Sequence, residues 1–239
     1  MNRCKILGAF AIVLGSVGAY GQSYTEGFND LKDGSGTSTL VPLEGRGWFD
    51  LNNSNPLGPT GWFGNGAVFP SHSGAGYIAA NFNNTTGAGT ISDWLITPTR
   101  TLNNGDTFSF WSRTNLDTFP DRLELRLSTN GSSTNVGATE TSVGDFGTLL
   151  LSINPSLTTG VYPTAWTQFS TTLSGLSSSG VSGRLAFRYF VTSGGPDGSN
   201  SDYIGVDDVA YTVAPVPEPA SMAVLGIGAL ALLRRRRSL

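Results

Sequence analysis

Thiols, imidazoles and lysines are nearly absent from this sequence. Cys4 is its one cysteine and His72 its one histidine, so neither a disulfide framework nor a zinc site built from His and Cys is available. Cys4 precedes an apolar run instead of following it, which excludes lipid attachment there. Six of the 14 basic residues and one of the 17 acidic ones lie in the terminal segments described below. The stretch from Gln22 to Pro215 therefore holds eight basic and 16 acidic residues, a net charge of −8, with Lys32 its only lysine. Nucleic acid and anionic membrane surfaces need clustered Lys and Arg, so this stretch is a poor match for either. Sustained helical periodicity is also missing. The two apolar runs, Ile6 to Val17 and Met222 to Leu233, both fall short of the ~20 residues that span a bilayer.

The ends carry what the middle lacks. Arg3 and Lys5 precede the first apolar run, and Ala19-Tyr20-Gly21 puts small residues at −3 and −1 of a cleavage site before Gln22. This reads as a secretory signal peptide over residues 1–21. At the other end Pro217 and Pro219 fix φ and remove donors, making 214–219 an extended spacer. An uncharged segment of Ala, Leu, Val, Ile, Met and Gly follows, closed by Arg234, Arg235, Arg236 and Arg237. Even Ala220 to Leu233 gives roughly 21 Å of helix against a hydrocarbon core of ~30 Å, a temporary membrane stop more than a permanent anchor. The arginine cluster belongs on the cytoplasmic side. A short buried C-terminal helix is the alternative, but it would have no polar face and would run straight into four charges.

The ordered set Val216-Pro217-Glu218-Pro219-Ala220-Ser221, short apolar helix and terminal arginines resembles a PEP-CTERM sorting signal. The resemblance implies recognition by an exosortase, a membrane processing enzyme of Gram-negative bacteria that make extracellular polysaccharide. It further implies transit through the inner membrane and delivery to the cell surface or extracellular matrix.

The 194 residues between the signals are enough for one domain with a real core. Its Gly, Ser, Thr and Asn content and short apolar runs indicate an all-β sandwich or barrel. Arg122 to Ser128 alternates strictly, with Leu123, Leu125 and Leu127 on one face; Leu185, Phe187 and Tyr189 repeat the pattern, as do Phe108 and Phe110. Further strands are expected at 24–28, 77–82, 94–97, 149–153, 166–172 and 203–213. In the last, Ile204 and Val206 share one phase and Val209, Tyr211 and Val213 the other, which predicts a β-bulge at Asp207-Asp208. The polar stretches Thr129 to Gly147 and Ser193 to Ser201 read as mobile edges in preference to ligand loops.

Glu26-Gly27-Phe28, Asp93-Trp94-Leu95-Ile96-Thr97-Pro98, Phe110-Trp111, Ser128-Thr129-Asn130-Gly131, Trp166, Leu185-Ala186-Phe187-Arg188 and Val206-Asp207-Asp208-Val209 fall in an order similar to that of cleaved-adhesin domains and the related choice-of-anchor group. The resemblance implies an antiparallel jelly-roll β-sandwich over residues 22–213, between the signal peptide and a 214–239 sorting tail with its short C-terminal apolar helix.

Catalysis finds little support. His72, flanked by Ser71 and Ser73 in a Gly-rich stretch, reads as a surface or loop histidine without the fixed second shell of a Ser–His–acid triad. Glycosidases need two facing carboxylates, whereas Glu124 stands alone between Arg122 and Arg126 on what reads as a solvated strand face. Calcium is the better chemistry, since hard cations want several oxygens on turns. Glu26 on the first strand and Asp207 and Asp208 on the last are one candidate set, and structural calcium is also what the resemblance implies. Asp50-Leu51-Asn52-Asn53-Ser54-Asn55 is a second candidate. It is similar to the family's Asp-rich calcium turn, but Asn and Ser stand where aspartates are usual, so any calcium at Asp50 should be weak. Among the aromatics, Trp94, Trp111 and Trp166 sit in strand patterns and read as core, while Trp62 and Phe63, between glycines, are candidates for exposed sugar stacking. The reading is a non-catalytic, adhesin-like surface or matrix protein that binds a polysaccharide or surface protein. A purely structural matrix component and a carbohydrate-active hydrolase are the alternatives.

Overall fold

The structure, a computed structural model, describes residues 22–31, 40–65, 67–116 and 118–215. The signal peptide, Val216, Pro217, Glu218, Pro219, the apolar segment and Arg234 to Arg237 lie outside the described residues. Among those described, no helix is long and apolar enough to cross a membrane.

The strands, in chain order, are β1 (Tyr24–Glu26), β2 (Phe49–Asn52), β3 (Asn55–Leu57), β4 (Phe63–Asn65), β5 (Tyr77–Asn81), β6 (Thr85–Ile96), β7 (Arg100–Leu102), β8 (Thr107–Thr114), β9 (Leu123–Ser128), β10 (Thr148–Ile153), β11 (Thr167–Thr172), β12 (Val181–Gly194) and β13 (Tyr203–Thr212). A four-residue helix, α1 (Val41–Glu44), precedes β2. The first sheet runs β11-β8-β13-β5-β4, with β1 on β13; the second runs β10-β9-β12-β6-β2, with β3 on β6 and β7 on β12. All pairings are antiparallel. These are the antiparallel sheets that the alternation implied, in the two-sheet jelly roll that the resemblance implied.

The core lies between the sheets. Leu123, Leu125, Leu185, Phe187 and Tyr189 point in from the second sheet, and Phe108, Phe110, Ile204 and Val206 from the first; each is fully buried. Phe110 meets Phe187 edge-on at 4.8 Å between centroids. Alternation places every second side chain inward, so a strand needs only three or four apolar residues to commit one face to this core.

Parts of both outer sheet faces are also covered, which the pattern did not show. The 129–147 stretch lies over the second sheet, where Val136 and Phe146 bury themselves on Trp94, Ile96 and Ala186. It is tied down by Arg188 Nη2 to Glu140 O (2.5 Å) and Asn53 Nδ2 to Gly137 O (2.9 Å). The expectation of a mobile edge gives way to a packed cover. Glu124 is consequently 6% exposed, bonded by Arg126 Nε at 2.7 Å and facing Arg188 at 3.5 Å. The face expected to be solvated is a buried charge row. On the first sheet the 67–76 segment seats Phe69 against Tyr77, Tyr203 and Trp166, with the Arg113 guanidinium 4.3 Å from its ring centroid.

Candidate functional site

The bulge forms where the phase flip placed it: the β13–β8 register shifts between Asp207 and Ala210, and Asp208 takes φ 45°. The bulge explains the two aspartates. Asp207, fully buried, accepts backbone N–H groups from His72 (2.9 Å), Ser73 (3.2 Å) and Asp208 (2.7 Å). Asp208 accepts Ser73 Oγ at 2.7 Å and lies 2.6 Å from His72 Nδ1. His72 stacks on Trp111 at 3.8 Å. The histidine lies on a loop, as expected, but it is clamped there. Serine and histidine both bond the carboxylate and not one another, so this is a clasp for the 67–76 segment and not the Ser–His–acid relay of a hydrolase.

The shared ion expected of Glu26, Asp207 and Asp208 is corrected by the same geometry. β1 does pair with β13, Glu26 opposite Val209. Glu26, however, accepts Arg46 Nε at 2.8 Å and its own loop's Phe28 N–H at 3.0 Å, and the aspartates are spent on the clasp. Arg46 also grips Asp30 at 2.6 Å, and that hydrogen bond holds the Asp30 carboxyl below its usual range. Among the described residues no three His, Cys, Asp or Glu side chains converge as a metal site.

Asp50 is different. Its segment is strand β2 followed by β3, not a turn, and it lies beside β6 with Asp50 opposite Leu95 and Asn52 opposite Asp93. Asp50 Oδ2 and the two Asp93 carboxyl oxygens lie 3.4, 3.8 and 3.9 Å from where a Cβ on Gly61 would sit, so that glycine leaves open a cradle walled by carboxylates. Asp93 is fully buried; Asn84 Nδ2 donates to its Oδ2, but Oδ1 has no hydrogen-bond partner. Burial, and then the charge of Asp50, push the Asp93 carboxyl well above the usual range. Burial also raises Asp50, with Glu44 adding to it. A buried, orphaned carboxylate oxygen facing a second carboxylate across a side-chain-sized gap fits a hard cation. Sequence reasoning missed Asp93 because its strand was expected to start one residue later.

The aromatic assignments divide. Trp94 is fully buried, whereas Trp111 and Trp166 are half-buried on the outer face of the first sheet. Trp62 is 3% exposed, packed in the inter-sheet core, so its role as an exposed platform is corrected: the flanking glycines let the chain dive inward. Phe63 is half-buried against Phe69 and Tyr203. The open aromatic surface lies elsewhere. At one end of the sandwich a cavity of about 220 Å³ is lined by Phe82, Phe119, Gly195, Pro196, Ser201 and Asp202. Its loops are anchored by Asp121, which is fully buried and accepts Thr114 Oγ1 (2.6 Å), Tyr189 OH (2.5 Å) and Asp202 N–H (2.9 Å).

Burial pushes the carboxyls of Asp121 and Asp207 up to about 6. Both therefore hold their protons more tightly folded than unfolded, where ~3.9 is usual, and stability falls as pH rises from about 4 to about 6. The domain should melt several degrees higher at pH 5 than at pH 7. Asp121→Asn should flatten part of that slope without lowering the neutral melting temperature, because the amide can donate to Thr114 Oγ1 while that hydroxyl keeps its bond to Tyr203 O. A flat wild-type profile would contradict this.

Residues 215–237 match the PEP-CTERM protein-sorting motif. Among solved structures, the K1 cleaved adhesin domain of Lys-gingipain from Porphyromonas gingivalis W83 is similar at 20% identity and TM-score 0.53, over 82% of this chain and 100% of that one. The K2 cleaved adhesin domain of Lys-gingipain is similar at 17% identity and TM-score 0.51, over 80% and 99%. At these identities the likeness shows the fold, a jelly-roll sandwich of the cleaved-adhesin kind. No curated protein matches the chain. The motif marks an exported protein of the kind that an exosortase processes.

Proposed function

We propose that this chain is an exported, non-catalytic binding protein, an adhesin-type sandwich that its sorting tail delivers to the cell surface or matrix, where it holds extracellular polysaccharide. The observation that carries this reading is the pairing of a PEP-CTERM motif with a cleaved-adhesin fold. An exosortase would read Val216, Pro217, Glu218 and Pro219, with Arg234 to Arg237 holding the tail at the inner membrane. Calcium would be held by Asp50 and Asp93. It would neutralise two carboxylates that otherwise repel and would tie β2 to β6. Since calcium takes ~6–8 oxygens, a site with two carboxylates should be weak. Support for a binding role, as opposed to a hydrolytic one, comes from Glu124, which is engaged by two arginines that themselves bond carbonyls of the 129–147 cover.

The test is affinity electrophoresis of the exported protein in gels containing the polysaccharide of its own producing strain. Retardation that rises with polysaccharide concentration is expected. Unchanged mobility at every concentration would remove the reading.

A further inference from the structure

The loop-end cavity is built from three separate connections. Phe82 opens the 3-10 turn Phe82–Asn84 between β5 and β6, Phe119 lies between β8 and β9, and residues 195–202 join β12 to β13. These connections are knitted together by backbone hydrogen bonds: Phe82 N to Asp202 O (3.0 Å), Ser201 N to Pro120 O (3.0 Å) and Asp197 N to Gly87 O (3.2 Å). Ser201 Oγ accepts Gly195 N–H at 2.9 Å, and Asp121 holds the Asp202 N–H from beneath. The 193–201 stretch, expected to be a mobile edge, is thereby fixed in place. A cavity held open in this way needs little ordering when a ligand enters.

Its lining selects the ligand. Phe119 is 46% exposed although nothing in the core needs it, and Phe82 is half-buried beside it. Aromatic faces pack against the C–H face of a pyranose. Gly195 and Gly198 let the loop's own backbone close up, with Gly195 N–H held by Ser201 Oγ and Gly198 N–H by Gly195 O (2.9 Å). A Cβ on Gly195 would meet Gly87 O at 2.2 Å, and one on Gly198 would meet Ser193 O at 2.4 Å. Asp202 adds a carboxylate to the lining and, among the described residues, no basic one lies there, which disfavours anionic sugars. About 220 Å³ is below the ~300–1,000 Å³ of pockets for drug-sized ligands, so one ring of a glycan fills the space.

From this we infer that the loop-end cavity, and not the Trp62–Phe63 segment, is a glycan subsite that takes a single neutral pyranose, with Phe82 and Phe119 as its stacking walls. The inference rests on the polysaccharide-binding reading and gives that reading an address. Calorimetric titration of the exported protein with the methyl glycosides of glucose, galactose, mannose and xylose tests it. At least one should bind saturably, and Phe119→Ala should weaken that binding by about tenfold or more while leaving the melting temperature unchanged. Phe82→Ala should do the same. Leu116→Ala, at an exposed residue lining a separate hollow, should bind like the wild type. Equal glycoside binding by wild type and Phe119→Ala would overturn the subsite, and so would binding of choline with no glycoside bound. If wild type and Phe119→Ala are retarded equally by the native polysaccharide, the subsite falls and the binding function stands; if neither is retarded, both fall.

Discussion

Asp93→Asn should move the melting temperature in opposite directions depending on calcium. In chelator, the substitution removes a buried carboxylate that lacks a partner on one oxygen and faces Asp50, so the variant should melt as high as the wild type or higher. Asn84 keeps its acceptor, because an amide oxygen can take the place of Oδ2. With calcium in excess the order reverses. Ligand linkage stabilises the wild type by about 2.7 kcal/mol at one hundred times the dissociation constant. At about 2–4 °C per kcal/mol for a domain of this size, that is a rise of about 5–10 °C. The variant should gain almost none of it. Gly61→Ala, which puts a methyl group into the cradle, should also blunt the response. If calcium leaves the wild-type melting temperature unmoved, the Asp50–Asp93 pair is not a metal site.

Arg188→Ala should cost more than any single surface change. Arg188 is 1% exposed, and its guanidinium bonds Ser92 Oγ (3.0 Å) and Glu140 O (2.5 Å), faces Glu124 (3.5 Å) and lies 3.7 Å from the Phe190 ring centroid. Burial pulls its pKa down to about 10, which leaves it charged at neutral pH. Truncation removes one partner of a buried ion pair and the tie that fastens the 129–147 cover. Breaking a buried pair costs about 3–5 kcal/mol, which corresponds to about 6–20 °C here. Amide exchange should quicken across 129–147 before it quickens in β8 or β13, because the cover loses its anchor while the inter-sheet core does not. A loss below about 2 °C would contradict the network.

These two sites also mark where the sequence could be read and where it could not. Period-two alternation was legible wherever one face meets the inter-sheet core, as at Leu123, Leu125 and Leu127, and the phase flip at Asp207-Asp208 located a bulge to the residue. Each is a local signal with a single physical cause. What covers the outer faces is not local. Glu124 and Arg188 alternate as solvent-facing residues should, and only Val136, Val143 and Phe146, three large apolar residues in a polar stretch, hint that a loop lies over them. The first half of β6, Thr85-Thr86-Gly87-Ala88-Gly89-Thr90, carries too little side chain to alternate. It becomes strand because β3 and β12 pair with it, and Asp93 was overlooked in consequence. Flanking glycines suit an exposed turn and a close approach equally well, and at Trp62 they serve the close approach. Phe82 and Phe119 are brought to one cavity by three loops far apart in the chain, and no spacing rule encodes that.

The central claim is that a sorting tail delivers a binding domain outside the cell. Intact-mass measurement of the protein recovered from the extracellular fraction of its producing strain tests it most directly, since one mass reports both ends. The account predicts a mass lacking residues 1–21 and some or all of the tail from Val216 onward, with Val216→Ala, Pro217→Ala and Pro219→Ala together trapping the tail-bearing form at the inner membrane. Recovery of the full-length mass from the cytoplasm alone would contradict it.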